Sequence, residues 1–238
     1  MNVSSIKTKI YSPEQDLIDF ILDSAGAQLR EGSLLAVTSK IVSLADGQLV
    51  KVSPEEKKAL IQKESDHYLG EIGYGCHLTI KDGLFIASAG IDESNSATGE
   101  YILYPREPYK WAQKIQKEIS TKLNLRRLGV LLTDSHTIPL RRGVVGVTLS
   151  YWGFKATRSL IGQPDLFGRE LKMTKQDVVD ALSAAAVLLM GEGADSCPLA
   201  LIEDAPVDFC AEVDPCELSI PLEEDLYYPI YKNLMSND

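Results

Sequence analysis

Apolar residues along the chain fall into two spacings, one for helices and one for buried strands. Leu17, Ile18, Ile21, Leu22, Ala25 and Leu29 follow helical spacing. Ser12-Pro13-Glu14-Gln15 just before them predicts the helix start, with Ser12 as N-cap, Pro13 in the first turn and Gln15 closing a capping box. Gly32 is expected to end that element, and Ser53-Pro54-Glu55-Glu56 repeats the start chemistry. Trp111, Ile115, Ile119 and Leu123 mark one face of a further helix. Thr174 is expected to cap a long one carrying Val178, Leu182, Ala185, Ala186 and Leu189, which ends at Met190-Gly191-Glu192-Gly193.

Short continuous apolar runs predict buried strands at Leu34–Thr38, Leu128–Thr133, Val144–Leu149 and Leu199–Ile202. Leu78–Ile80 and Leu84–Ala87 flank Lys81-Asp82-Gly83, a hairpin signal, because Asp-Gly tolerates the positive φ of a tight turn. Strands and helices do not alternate regularly. The expected class is therefore α+β, with mixed sheets and flanking helices, rather than a doubly wound sheet.

Composition narrows the function. The 238 residues carry a formal charge of −10 with 45% hydrophobic content, which fits a folded globular chain. Ten acids and one base, Lys232, lie in 203–238, so the rest of the chain is nearly neutral. The acidic stretch also holds Tyr227, Tyr228, Ile230 and Tyr231, and is expected to dock as an extension (203–238) of a main domain (1–202). No broad basic field for nucleic acid is present. No apolar run is long enough for a membrane span, and no secretory signal opens the chain. Cytoplasm is the expected location. Cys76, Cys197, Cys210 and Cys216 form no metal-binding pattern and read as idle thiols, although Cys210 and Cys216 are close enough in sequence for a bridge under oxidising conditions.

Phosphate-loop, dinucleotide, serine-hydrolase and zinc-protease signatures are missing. What remains are acids at the ends of apolar runs. Asp92, followed by Asn95, suits a hard cation and a nucleotide, or a turn in which both side chains bond their own backbone. Asp134 and Ser135 close a strongly apolar run and offer oxygen ligands, or cap the next turn. Glu192 between Gly191 and Gly193 suits a cation beside a phosphate chain; a helix C-cap explains the glycines equally well. Arg141 and Arg142 are forks for phosphate or carboxylate groups, or solvated surface. Asp165, Arg169 and Glu170 form either an internal ion-pair network or a substrate wall.

Thr38–Ser43, Ala89–Asn95, Asp134–Val147, Asp165–Leu171 and Met190–Glu192 occur in an order that resembles the coenzyme F(420)-0:γ-glutamyl ligase family, over about Ser12 to Ile202. The resemblance implies an unusual α+β fold in an intertwined homodimer. It also implies joining of L-glutamate to a carboxylate-bearing acceptor with GTP and Mg²⁺ or Mn²⁺. Asp92, Asp134 and Glu192 match the family's metal-ligating positions, and Ser135 stands where the family usually has Thr. Asn95, Ser39, Lys40, the turn Tyr11–Glu14 with Ser12 and Pro13, and the segment Met190–Cys197 with Gly191 and Gly193 match its nucleotide contacts.

The chain departs from the family pattern at Leu44, where a Lys that meets the nucleotide is usual, and at His136–Leu140, where an Arg and an aromatic are lost. These departures bear on GTP against ATP and on a deazaflavin against a folate acceptor. They also keep open a silent nucleotide- or pterin-binding module and a metal-dependent phosphohydrolase.

Overall fold

A computed structural model describes residues 1–94 and 99–235. Its strands are β1 (Asn2–Ile6), β2 (Ser33–Thr38), β3 (Leu49–Val50), β4 (His67–Glu71), β5 (His77–Lys81), β6 (Leu84–Ala87), β7 (Tyr101–Ile102), β8 (Leu128–Thr137), β9 (Val144–Trp152), β10 (Thr157–Ser159), β11 (Lys175–Asp177) and β12 (Leu199–Glu203). The helices are α1 (Leu17–Ala25), α2 (Ser39–Ala45), α3 (Lys57–Glu64), α4 (Pro108–Leu123), α5 (Val178–Met190) and α6 (Tyr228–Met235). The architecture is α+β, with several separate sheets.

The main sheet runs β1-β12-β2-β8-β9, and within it only β2 and β8 are parallel. Both its faces are covered. Leu35 and Val37 of β2 face a cluster that includes Ile18 and Ile21 of α1 and Ile115 and Ile119 of α4, whereas Leu34 and Ala36 face Val179, Leu182 and Ala186 of α5. Burial on both sides makes these strands read as unbroken apolar runs rather than as alternating ones. A smaller sheet, β4-β5-β6, contains the Asp82-Gly83 hairpin, whose two turn residues have φ of 50° and 76°.

Two cap assignments are corrected. The side chain that caps α1 is Asp16, which accepts from Asp19 N–H, while Ser12 and Gln15 close a separate turn ahead of it. That turn and the cap share similar chemistry, so sequence alone placed the helix one turn early. The helix then stops at Ala25 rather than at Gly32. Asp177, not Thr174, caps α5, because Lys175–Asp177 pair with β10 as a strand first. At Ser53–Glu56 the Ser53 N–H does bond Glu56 Oε2, at 2.8 Å, just ahead of α3.

The segment after β12 returns to the body. Glu217 accepts from Ala156 N–H, Thr157 N–H, the Thr157 hydroxyl and the Tyr151 hydroxyl at 3.1–3.3 Å. Tyr231 of α6 is buried against Leu69 and Ile80 of the smaller sheet. Cys210 and Cys216 are free thiols, as are Cys76 and Cys197. No described helix is long and apolar enough to cross a membrane.

Candidate functional site

The topology of the main sheet gathers distant segments at one end. Because β2 and β8 are parallel, the turn from Thr38 into Ser39-Lys40 and the stretch Thr133-Asp134-Ser135 leave the core at the same edge. Antiparallel β12 begins there, so the Gly191–Pro198 segment that feeds it lies alongside, with Thr38 N–H bonded to Pro198 O at 2.9 Å. β1 ends there too, and Thr8 N–H reaches Ser196 O at 2.9 Å. Functional groups commonly collect at the carboxyl ends of parallel strands for this reason.

These segments line a cleft of about 710 Å³, a volume within the range of small-molecule sites. Asp92, Asp134 and Glu192 all line it, together with Ser135, Lys40, Pro13, Met190, Gly191 and Gly193. Glu100 and Asp195 add further acids, and Lys9 a second ammonium group. Leu44 contributes an apolar wall beside Ile41 and Leu49.

Each principal acid has its own partner. Lys40 Nζ is 2.6 Å from Asp92 Oδ2, and the N–H of Ser94 donates to Asp92 Oδ1 at 2.6 Å, the side chain bonding its own backbone two residues on. Burial works against ionisation of Asp92, but the hydrogen bonds and charge of Lys40 and the donors of Ser94 outweigh it and hold the carboxyl below its ordinary range. Asp134 lies inside β8, paired with Val147, because the strand continues to Thr137; it caps no turn. The ladder shifts register between Leu132 and Thr133, where the strand passes from core to cleft. Burial pushes the Asp134 carboxyl up to about 6, opposed by hydrogen bonds from the Tyr104 hydroxyl and Ser135 N–H and reinforced by the charge of Asp92. Ser135 Oγ donates to Glu192 Oε2 at 3.1 Å. Gly191 is the C-cap of α5.

The structure does not bring every expected residue into the cleft. Ser12 and Ser39 sit next to lining residues without lining it themselves. Asn95 lies outside the described residues. Arg141 and Arg142 are exposed where β8 turns into β9 and do not line this cleft. Asp165 accepts from the N–H groups of Phe167 and Arg169, and Arg169 Nε lies 3.8 Å from its carboxylate, so this group forms a local ion pair on an exposed segment. Half-buried His136, whose pKa desolvation lowers, does not line the cleft.

Tyr104 was not legible beforehand. Its hydroxyl donates to Asp134 Oδ2 at 2.5 Å across 30 residues of sequence, a separation that leaves no local signal. Burial and the neighbouring Asp134 raise its pKa well above the ordinary value, so it stays a donor. Glu100 was similarly hidden, whereas Asp195 falls in the Met190–Cys197 segment expected at the site.

Comparison with known proteins follows the same segments. The family model described as F420-0:Gamma-glutamyl ligase matches residues 5–204. A coenzyme F420:L-glutamate ligase of Archaeoglobus fulgidus is 33% identical over 79% of this chain and 80% of its own. Ligases of the same name from Methanocaldococcus jannaschii (36% identical, 76% and 69% covered) and Methanopyrus kandleri (32%, 78% and 79%) are also similar. The matched range takes in every segment that forms the cleft, and the chain belongs to the F420-0:γ-glutamyl ligase family.

Proposed function

We propose that this chain is a nucleotide- and divalent-metal-dependent γ-glutamyl ligase that joins L-glutamate to a carboxylate-bearing cofactor precursor. The acceptor is of the coenzyme F(420)-0 type, as the relatives' names suggest. The observation that carries the reading is the convergence of Asp92, Asp134 and Glu192, 42 to 100 residues apart in sequence, on one cleft.

The residues suit a hard cation. The donor set is all oxygen: three carboxylates and the Ser135 hydroxyl, the chemistry that Mg²⁺ and Mn²⁺ prefer. Asp134 is largely buried yet forms no ion pair among the described residues, leaving a charge for a cation to compensate. In this conformation the acids are tied to Lys40, Tyr104 and Ser135, and no three described His, Cys, Asp or Glu residues form a ready ligand cluster. Binding would therefore exchange some of these contacts for metal ligation. When bound, the cation would neutralise charge on the triphosphate during phosphoryl transfer.

The acceptor carboxylate attacks the γ-phosphorus, releasing the nucleoside diphosphate and giving an acyl phosphate. The glutamate amine then attacks the acyl carbon, forming the amide and releasing phosphate and a proton. Lys9 and Lys40 offset the acidity of the cleft on the polyanion side. Pro13, Met190, Gly191 and Gly193 line the nucleotide end, with Ser12 and Ser39 beside it. Arg141 and Arg142 hold acceptor or glutamate carboxylates from an exposed position, as part of a homodimer in which a partner copy brings them to the site. Exposed Leu140 in the β8–β9 turn and exposed Leu166 and Phe167 in the segment between β10 and β11 support such an assembly. Residues 203–238 are an extension largely beyond the matched range.

Leu44 in the cleft wall favours a second reading, a silent nucleotide- or pterin-binding module, and the altered His136–Leu140 segment favours a folate-type acceptor with the same mechanism. Release of phosphate from GTP or ATP, measured with and without L-glutamate and with and without an acceptor carboxylate, tests the proposal. Release that requires both glutamate and acceptor supports the ligase. Release without them identifies a hydrolase, and nucleotide binding without turnover identifies the silent module.

A further inference from the structure

Tyr104 lies between the strand that carries Asp134 and the loop that leads to Asp92. Its ring is buried (7% exposed), and its hydroxyl meets Asp134 of β8. On the other side lies Ser88-Ala89-Gly90, where three successive residues have positive φ (52°, 55° and 70°). A Cβ at Gly90 would lie 2.1 Å from Tyr104 Cζ and 2.5 Å from its hydroxyl, so only glycine lets the loop pass the ring. The left-handed turn is held from behind: Ala89 N–H donates to Thr79 Oγ1 at 2.9 Å, and Ser88 Oγ accepts from His77 N–H at 3.2 Å. Asp92 follows at once and exchanges two backbone hydrogen bonds with Ile102, two residues before Tyr104. One aromatic side chain thus joins the Asp92 loop to the Asp134 strand.

We propose that Tyr104 is the positioning residue of the cation site, its hydroxyl fixing the orientation in which the Asp134 carboxylate meets the cleft. The left-handed loop at 88–90 is the backbone form that makes room for the ring. This rests on the metal reading above and assigns it a supporting shell. A ligating carboxylate is usually oriented by a hydrogen-bonded neighbour, and losing that neighbour typically weakens metal affinity by about 10–100-fold.

The test is titration of nucleotide-free protein with Mn²⁺, free ion being counted by electron paramagnetic resonance. Y104F keeps the ring and removes only the hydroxyl, and thermal denaturation without metal checks that it is folded. We expect Y104F to bind Mn²⁺ about tenfold more weakly. In the D92N background Y104F should again weaken binding about tenfold, whereas in the D134N background it should leave binding where D134N alone puts it. Gly90→Ala, which displaces the ring while keeping the hydroxyl, should weaken binding as Y104F does. Unchanged affinity in Y104F, or an equal loss in the D134N background, would overturn the positioning role alone. No Mn²⁺ binding by the unsubstituted protein would overturn the metal reading with it.

Discussion

Removing the Glu217 carboxylate should detach the returning C-terminal segment from the body of the protein. Glu217 receives two backbone N–H groups, from Ala156 and Thr157, and two hydroxyls, from Thr157 and Tyr151. The Tyr151 hydroxyl also reaches Asp214 O at 3.2 Å, so its loss is partly compensated. E217A leaves the other three donors without that acceptor. A buried donor left unpaired costs about 1–3 kcal/mol, and the half-buried position admits some water, so the low end applies and the total is about 3 kcal/mol. In a chain of 238 residues each kcal/mol lowers Tm by about 2–4 °C, so E217A should melt roughly 6–12 °C lower. E217Q keeps one acceptor oxygen but turns an amide donor toward other donors, and should fall about midway. Differential scanning calorimetry of the three proteins at one pH and salt gives the comparison. An E217A midpoint within 2 °C of the parent would refute the claim that this carboxylate anchors the segment.

Other consequences follow from the same geometry. D134N should stay folded but lose nucleotide turnover by at least about 100-fold, as read by phosphate release. Chelation with EDTA should abolish that turnover, and added Mg²⁺ or Mn²⁺ should restore it. Gly90→Ala should destabilise the chain by more than about 1 kcal/mol, seen in urea unfolding, because the new methyl meets both a positive φ and the Tyr104 ring. Burial pushes the Tyr109 hydroxyl, which donates to Pro215 O, up to about 12, above the ordinary tyrosine value near 10. Its folded pKa is raised, so the stability it lends is full below pH 10 and is lost as pH climbs from 10 towards 12. Y109F should flatten that part of a stability–pH curve.

Fold and site differed in how far the sequence reached. Strands β2, β8 and β12 were legible because both faces of the main sheet are buried, which leaves an uninterrupted apolar signature. The caps at Asp16 and Asp177 were misplaced because acids and hydroxyls three residues apart look alike whether they close a turn or start a helix. Asp134 was visible as an acid closing an apolar run. Its place within a strand was not, since pairing of Asp134–Thr137 with Val144–Val147 is decided by the hairpin rather than by local propensity. Tyr104 left no pattern, because its partner Asp134 comes from tertiary contact. The arginines at 141 and 142 were conspicuous in sequence, yet a single chain keeps them out of the cleft.

Mass spectrometry of an incubation with Mg²⁺ or Mn²⁺, GTP or ATP, L-glutamate and a panel of deazaflavin and pterin carboxylates decides whether the cleft performs glutamyl ligation. One acceptor should gain a glutamyl unit only when nucleotide is present, and D134N should yield none. Nucleotide hydrolysis with every acceptor left at its starting mass would contradict ligation.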